Sequence, residues 1–392
     1  MSATGGELVI TAPRLVTGLA ADPVLSPGYV TIEGGEITAV GQGRPPGQAD
    51  VELPDGILAP GFVDLQVNGY YGVELQAAEP QEWATVVRRL PETGTTAFLP
   101  TFITSPIDWL TAALRAANGF VGELPTGARV LGVHVEGPFI AVNRRGAHNA
   151  EWIRDPNPAD VVELISAGAG LLRLLTLAPE RPGALEAITQ LTAAGVLVSV
   201  GHSDATADQV AQAAERGARK VTHLFNAQRP LHHREPGVVG QALVDPRLTS
   251  GLIADLHHVS AQACQIACAA APGRIALVTD AAACAGMPPG EYLLGGEPIE
   301  LPPGDGQPPV RADGTLAGSA LAMDRAVANL VSIGVGLTAA IAAATSVPAG
   351  LIGCPRLGRI APGAAGDLVW LSPDLQARAT WVGGRQVYGT GD

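Results

Sequence analysis

Two histidines occupy equivalent places within residues 196–226. His202 follows the apolar run 196–201, and His223 follows the short run 220–222. Between them, residues 206–219 repeat apolar positions at three- and four-residue spacing, which predicts a helix. Each histidine therefore ends a predicted strand, at the edge of a parallel sheet where ligands and catalytic groups collect. A lone histidine is more often structural, whereas two on successive strands favour a metal site.

Glu136 ends another apolar run, 130–136, directly before Gly-Pro. Together with His202 and His223 it offers one oxygen and two nitrogens, a donor set that suits Zn²⁺, with Fe²⁺, Mn²⁺ and Co²⁺ as alternatives. Three protein ligands leave a position open for water, as catalytic sites do. A buried salt bridge or a helix cap is the other interpretation of Glu136. His134, two residues earlier, points to the same side of the strand and is predicted to lie behind the ligands.

Asp280 ends the apolar run 274–280. A carboxylate at a barrel mouth is suited to general acid/base catalysis, but aspartate is equally favoured as a helix N-cap, and both interpretations stay open. Arg234 follows the sixth run, and its planar guanidinium suits a phosphate or carboxylate, although exposed arginines are usually only solvated. His257 and His258 end the seventh run, either as contacts to a substrate or as polar loop residues.

The elements that position these side chains alternate along the chain. Eight apolar runs end on the order of 20–40 residues apart, separated by Ala-rich helical stretches, which predicts a (β/α)8 barrel, with a doubly wound sheet as the alternative. The runs are 57–66, 96–101, 130–136, 171–177, 196–202, 220–223, 249–255 and 274–280. Residues 281–320 are predicted to be a long loop, and 324–333 and 337–352 to be helices.

Both chain ends have strand character. Residues 7–13 and 28–40 are typical of short strands, the second region being a hairpin that turns at Gly34-Gly35, and the tail returns to strand. We therefore predict a small β-sandwich domain made of residues 1–57 and 359–392, and a barrel domain of residues 58–358.

Composition excludes some partners. The formal net charge of −13 argues against nucleic acid and against an anionic membrane surface. No apolar run approaches the length of a membrane span, and the N-terminus lacks a signal-peptide pattern, so we expect a cytoplasmic protein. Four cysteines form no CxxC pair and are expected to be reduced thiols. Lys220 is the only lysine.

The motifs of the chain, in their order, resemble those of the N-acetylglucosamine-6-phosphate deacetylase family within the amidohydrolase superfamily. The resemblance covers nearly the whole chain. It is carried by PGFVDLQVNG (60–69), LPTFIT (99–104), HVEGPF (134–139), GAHN (146–149), LAPE (177–180), GHSDAT (201–206), THLFNA (222–227), REPG (234–237), TDA (279–281), DGTLAGS (313–319) and GRIAPGAAGDLV (358–369).

The resemblance implies roles for individual residues. Glu136, His202 and His223 would hold one divalent metal, and Asp280 would be the general acid/base. His258 would contact the substrate near the scissile amide. The sugar phosphate would be held by His148, Asn226, the Ala227 backbone and Arg234. The resemblance also implies a homodimer, in which a partner subunit contributes to the phosphate site.

Two departures from common amidohydrolase patterns bear on these expectations. Many members carry His-x-His at the end of the first strand to support a second metal, whereas this chain has Gln66-Val67-Asn68, as single-metal members of the family do. Residues 178–180, at the end of the fourth strand, include no lysine that carbamylation would turn into a bridge, so we predict one metal, with Gln66 behind it. Leu256 stands where family members often have glycine, which is expected to alter the pocket wall.

The function expected from these residues is removal of the acetyl group from N-acetylglucosamine-6-phosphate, giving acetate and glucosamine-6-phosphate. Metal-activated water would attack the amide, and Asp280 would move the proton to the leaving amine. The alternatives are an amidohydrolase for another N-acyl sugar or a cyclic amide, and, more remotely, a non-catalytic scaffold barrel.

Overall fold

The computed structural model describes residues 6–19, 24–304 and 306–390. Its centre is a ring of parallel strands whose residues are almost all buried, as expected when helices cover the outside and side chains fill the inside. The strands are β1 (Phe62–Val67), β2 (Thr95–Ile103), β3 (Val133–Glu136), β4 (Leu172–Leu177), β5 (Leu197–Val200), β6 (Lys220–Val221), β7 (Thr249–Leu252) and β8 (Ile275–Leu277).

Each strand pairs in parallel with the next along the chain, from β1 to β8. The ring closes just beyond the strand ends, where Val67 and Ala281 form a parallel bridge. There the Asp280 N–H also donates to the Gln66 carbonyl at 2.9 Å. The predicted (β/α)8 barrel is thus confirmed, and the doubly wound alternative is wrong because an open sheet would leave these two edges apart.

Helices follow most strands. They are α1 (Pro80–Arg89), α2 (Ile107–Phe120), α3 (Pro158–Gly168), α4 (Ala184–Ala193), α5 (Ala207–Glu215), α6 (Gly237–Val244), α7 (Ala261–Ala270), α8 (Met323–Ser332), α9 (Leu337–Ala344) and α10 (Ser346–Leu351). Helix α5 begins where Thr206 and Gln209 form a capping box. The predicted helix 337–352 is two helices, because Pro348 has no N–H to donate to the Ala344 carbonyl.

Two sheets stand beside the barrel. One orders its strands Glu36–Gln42, Gly28–Glu33, Leu8–Ala12 and Val51–Glu52. The other orders Arg385–Gly389, Ala377–Val382, Leu368–Leu371, Ile57–Pro60, Leu15–Val16 and Val24–Leu25, so it joins both ends of the chain.

An apolar core that includes Ile10, Ile32, Leu58 and Trp381 lies between the sheets. The fold of the expected small domain is therefore present, and its boundaries remain a prediction. Residues 1–5, 20–23 and 391–392 of that domain lie outside the described residues.

Two other expectations need correction. The predicted first strand, 57–66, is two strands, since Ile57–Pro60 pairs antiparallel with Leu368–Leu371 in the terminal sheet and only Phe62 onward enters the barrel. The predicted loop 281–320 contains a hairpin, Gly290–Leu294 with Glu297–Leu301. Alternating burial along this hairpin is typical of strands that cover a surface with one face. Among the described helices, none has the length and apolar character needed to cross a membrane.

Candidate active site

The carboxyl ends of four barrel strands bring Glu136, His202, His223 and Asp280 to one mouth. All four side chains are buried. The Glu136 Oε1 lies 3.4 Å from the His202 Nε2 and 3.2 Å from the His223 Nε2, and the two Nε2 atoms are 3.1 Å apart. Three lone-pair donors thus point at one another, an arrangement that a shared cation would stabilise.

The hydrogen bonds behind Glu136 and His202 suit metal binding, whereas the buried His223 Nδ1 has no hydrogen-bond partner among the described residues. The His202 Nδ1 lies 2.9 Å from the Arg144 carbonyl, which can only accept, so Nδ1 carries the proton and Nε2 is free to bind. Burial alone would raise the pKa of Glu136, but the imidazoles of His202 and His223 beside it hold that pKa well below its usual range. The residues therefore fit one divalent metal held by Glu136, His202 and His223.

His148 also approaches this cluster. Its donor atom and those of Glu136 and His202 all lie within 4.8 Å of one another, so it is a geometric candidate for a ligand in place of His223. The Thr104 backbone N–H donates to the His148 Nδ1 at 3.3 Å, which leaves the proton on Nε2. A protonated Nε2 donates rather than ligates, and burial together with the charge of His202 lowers the pKa of His148, keeping it neutral. We therefore assign His148 as a hydrogen-bond donor facing the cavity.

Asp280 is held by two side-chain amides. Its Oδ1 accepts from the Asn68 Nδ2 at 2.8 Å and from the Gln66 Nε2 at 3.0 Å. The Gln66 Nε2 also donates to the Glu136 Oε1 at 3.1 Å, so it links the acid/base candidate to the metal cluster. Burial, then the charge of Glu136, raises the pKa of Asp280 above its usual value. The N-cap alternative is wrong, because residues 281–285 form a bridge and a turn rather than a helix.

His134 lies one layer deeper. Its Nδ1 is 3.3 Å from the Thr101 Oγ1 and its Nε2 is 2.7 Å from the Thr176 Oγ1. Burial lowers its pKa to about 3, so it is neutral. It supports the barrel interior beneath the cluster, whereas Gln66 touches both carboxylates directly.

A cavity of about 330 Å³ opens above the cluster. Of the predicted substrate residues, His148, Asn226, Ala227 and His258 line it. The His258 Nδ1 is fixed at 2.6 Å from the Asp255 Oδ2. Arg234 does not line this cavity; it is exposed, and its Nη1 lies 2.7 Å from the His233 Nε2. Leu256 is also absent from the cavity lining, so the expected change in the pocket wall is not found in this chain.

Sequence reasoning missed several cavity residues. Arg144 lines the cavity, where its guanidinium pairs with Asp204 at 2.8 Å. Leu294 reaches the cavity from the unpredicted hairpin, and Thr315, Leu316 and Gly318 line it from the motif at residues 313–319. No pattern in the neighbouring sequence predicts a role for Arg144. Its backbone carbonyl contacts His202, which lies 58 residues later in the chain, only because the intervening loop folds over the site.

Strained backbone surrounds the site. His202, His223 and Asp280 have φ values of 47°, 26° and 53°, and Ala227 has a φ of 49°. Non-glycine residues seldom adopt this left-handed region, and those that do cluster at functional sites. The turns aim three polar side chains inward directly after the strands end.

Comparison with known proteins agrees with this geometry. A model of the amidohydrolase family matches residues 57–387. The chain belongs to the amidohydrolase family, whose members are metal-dependent, and the Glu-His-His cluster fits such a metal site. The class expected from the motifs is confirmed.

Its relatives within the family are deacetylases of amino-sugar phosphates. The N-acetylglucosamine-6-phosphate deacetylase of Bos taurus is 40% identical over 346 residues, which are 85% of this chain and 83% of that protein. The N-acetylgalactosamine-6-phosphate deacetylase of Escherichia coli is 38% identical over 341 residues, covering 86% of this chain and 88% of that protein.

Solved structures that are similar to this chain also include deacetylases of amino-sugar phosphates. N-acetyl-D-glucosamine-6-phosphate deacetylase from Mycobacterium smegmatis, a mutant in complex with N-acetyl-D-glucosamine-6-phosphate, has a TM-score of 0.92 and 36% identity, covering 98% of this chain and 100% of that chain. The enzyme of the same name from Pasteurella multocida has a TM-score of 0.90 and 30% identity, covering 97% of this chain and 99% of that chain.

Proposed function

We propose that this protein hydrolyses the acetamide of N-acetylglucosamine-6-phosphate to acetate and glucosamine-6-phosphate. The observation that carries the proposal is the convergence of Glu136, His202, His223 and Asp280 beneath one cavity, in a chain similar to such deacetylases from end to end. A scaffold protein would have no use for three buried ligands and an acid/base group together.

Glu136, His202 and His223 would hold the metal, for which we propose zinc on the strength of the two imidazoles and one carboxylate. When bound, the metal supplies a water of lowered pKa and a positive charge for the developing oxyanion. The Arg144 carbonyl and the Gln66 amide orient this set, by fixing the His202 tautomer and one Glu136 oxygen.

Asp280 would take the proton of the attacking water and pass it to the departing amine. Its raised pKa suits both steps, since the carboxylate must accept a proton and then release it. The neutral His148 would donate from Nε2 to the acetyl carbonyl or to a sugar oxygen, and His258, braced by Asp255, would face the same amide.

Asn226, the Ala227 backbone and Arg234 would hold the sugar phosphate. Arg234 stands exposed outside the cavity of its own chain, which supports a homodimer in which a neighbouring subunit completes the phosphate site. We also propose the cytoplasm as its location, consistent with the expectation from the sequence.

The galactosamine epimer is a second candidate substrate, favoured by the similarity to N-acetylgalactosamine-6-phosphate deacetylase. The deciding experiment measures acetate release by zinc-loaded protein from both phosphorylated sugars and from unphosphorylated N-acetylglucosamine. We expect turnover of the phosphorylated glucosamine substrate and little of the unphosphorylated sugar. Preference for the galactosamine epimer would move the assignment to it, and failure with every sugar by metal-loaded protein would contradict the proposal.

A further inference from the structure

Lys220, the only lysine of the chain, lies inside the barrel. It is fully buried and shares its face of the strand with Thr222, whose hydroxyl lies 2.8 Å from the Thr176 Oγ1 and 2.6 Å from the Ser199 Oγ. On the neighbouring strand stands Gly251, where a Cβ would be 3.2 Å from the Lys220 Nζ. Because Gly251 has no side chain, the Lys220 side chain has room to extend into the interior of the barrel.

The ammonium of Lys220 is not paired. Its Nζ is buried and has no hydrogen-bond partner among the residues that the structure describes. An unpaired buried ammonium is unfavourable unless nearby charge offsets it. Because the Lys220 ammonium has no hydrogen-bond partner, nearby negative charge must stabilise it inside the barrel.

Buried carboxylates provide the offsetting charge. Elsewhere, such groups have arginine partners: Asp245 lies 2.6 Å from Arg247, and Asp367 lies 2.8 Å from Arg129. Inside the barrel, no arginine ion pair is found for the buried carboxylates in the described part of the chain. The ionisable groups that interact electrostatically with Lys220 there are Asp64, Glu136, Asp280 and His134.

The charge on Lys220 is easily changed. Burial lowers its pKa to about 8, while the charges of Glu136, Asp280 and Asp64 oppose a further fall. At neutral pH the side chain is protonated, but it titrates close to that pH. A dication placed between Glu136, His202 and His223 would repel this proton.

We propose that Lys220 is a built-in counter-charge of the metal-free site, and that binding of a divalent cation by Glu136, His202 and His223 displaces a proton from the Lys220 ammonium to solvent. The inference rests on the metal site of the proposed function and not on its substrate. One N–H bond breaks, the electron pair stays on Nζ, and the proton leaves to bulk water. Because coupling is reciprocal, protonated Lys220 weakens metal affinity by the factor by which the metal weakens proton affinity.

The single lysine permits a direct test. Protein labelled with [13Cε]lysine gives one lysine signal, whose shift reports the charge on Nζ. We would titrate the full chain, stripped of metal and then saturated with zinc, from about pH 6 to about pH 10. We expect zinc to lower the titration midpoint by about 1 pH unit or more. Equal midpoints with and without zinc would overturn the proposal.

Calorimetry of zinc binding, in two buffers of different ionisation enthalpy, counts the protons released. Lys220→Met keeps the length of the side chain and removes the charge, so we expect it to release fewer protons and, at neutral pH, to bind zinc about tenfold more tightly. Ser250→Ala is the matched control: this buried hydroxyl is next to Gly251 on the strand and points to the other face, so its values should equal those of the wild type.

Equal proton release from Lys220→Met and the wild type would also overturn the proposal. Should Lys220→Met fail to fold, the titration of the wild-type lysine decides alone. Both measurements use zinc without any sugar. The proposal for Lys220 can therefore fail while the deacetylase assignment stands, and the deacetylase assignment can fail while the proposal for Lys220 stands.

Discussion

The position of Asp280 suits the acid/base role that we propose for it. Two amides, from Gln66 and Asn68, fix one carboxylate oxygen, and the residue lines the cavity. The left-handed backbone at this position indicates that its orientation is imposed by the surrounding fold. Its removal should therefore affect catalysis much more than binding.

For Asp280→Asn we expect kcat to fall by about 10²–10⁴-fold with little change in KM and in bound metal, because the amide keeps an acceptor toward Gln66 and Asn68 but cannot take a proton. Steady-state acetate release and metal content test this. The control is Asp245→Asn, a buried carboxylate outside the cavity whose partner is Arg247. Wild-type kcat in Asp280→Asn would contradict the assigned role.

Arg234 tests the phosphate assignment. For Arg234→Ala we expect KM for the phosphorylated sugar to rise by about 10–100-fold, since a hydrogen bond to a charged group contributes about 1.5–3 kcal/mol, while the unphosphorylated sugar is unaffected. Arg216→Ala, another exposed arginine at the far end of α5, should leave KM unchanged. A KM that stays at the wild-type value in Arg234→Ala would show that another cation receives the phosphate.

At the scale of elements, the turn after β7 holds the His258 ring in place and contains one strained backbone position, Leu256. Asp255 accepts from the backbone N–H groups of His257 and His258 and from the His258 ring, which sets the ring toward the cavity. Leu256 lies in this turn with a φ of 66°, a conformation that glycine adopts without penalty. Glycine at this position would avoid that strain.

Leu256→Gly and Leu256→Ala form a matched pair. Both lose the packing of the half-buried leucine, but only glycine relieves the left-handed strain, so we expect the glycine variant to be about 1 kcal/mol more stable than the alanine variant. Denaturant unfolding measures the difference. In an ordinary loop or helix alanine would be the more stable of the two, and that order here would contradict the strain argument.

At the scale of the molecule, the barrel interior holds more charge than a core usually does. Asp64, inside β1, accepts from the Thr279 Oγ1 at 2.6 Å and from the Gln66 N–H at 3.1 Å, yet burial raises its pKa to about 7. Between its usual value of 3.8 and about 7 the unfolded chain releases a proton that the folded chain keeps. Stability therefore declines as pH rises through this window, and the loss is complete above it.

Asp64→Asn should remove that decline, because an amide resembles the protonated acid and can still bond to Thr279. We expect the wild type to lose stability relative to Asp64→Asn by a few kcal/mol between about pH 4 and about pH 7. Comparing the free energies of unfolding of the two proteins across this range cancels the groups they share. A pH-independent difference would mean that Asp64 is ionised in the folded protein throughout.

The sequence by itself determined the class of fold and predicted most of the candidate site. Apolar runs that end in polar residues predicted the barrel strands, and the same positions supplied Glu136, His202, His223 and Asp280. This prediction succeeds because a parallel strand is buried on both faces and its carboxyl end meets the ligand. In the sequence, the apolar residues of the buried strand are therefore followed directly by the polar residue that serves the site.

Only the tertiary structure decided which polar groups meet. Gln66 reaches Asp280 across 214 residues of chain because the barrel closes between its last and first strands, and Arg144 fixes the His202 tautomer through a loop. The structure also placed Arg234 outside the cavity, Leu256 in strained backbone and Lys220 unpaired among carboxylates. Hydrophobic periodicity records local burial alone, whereas these contacts depend on how distant segments pack.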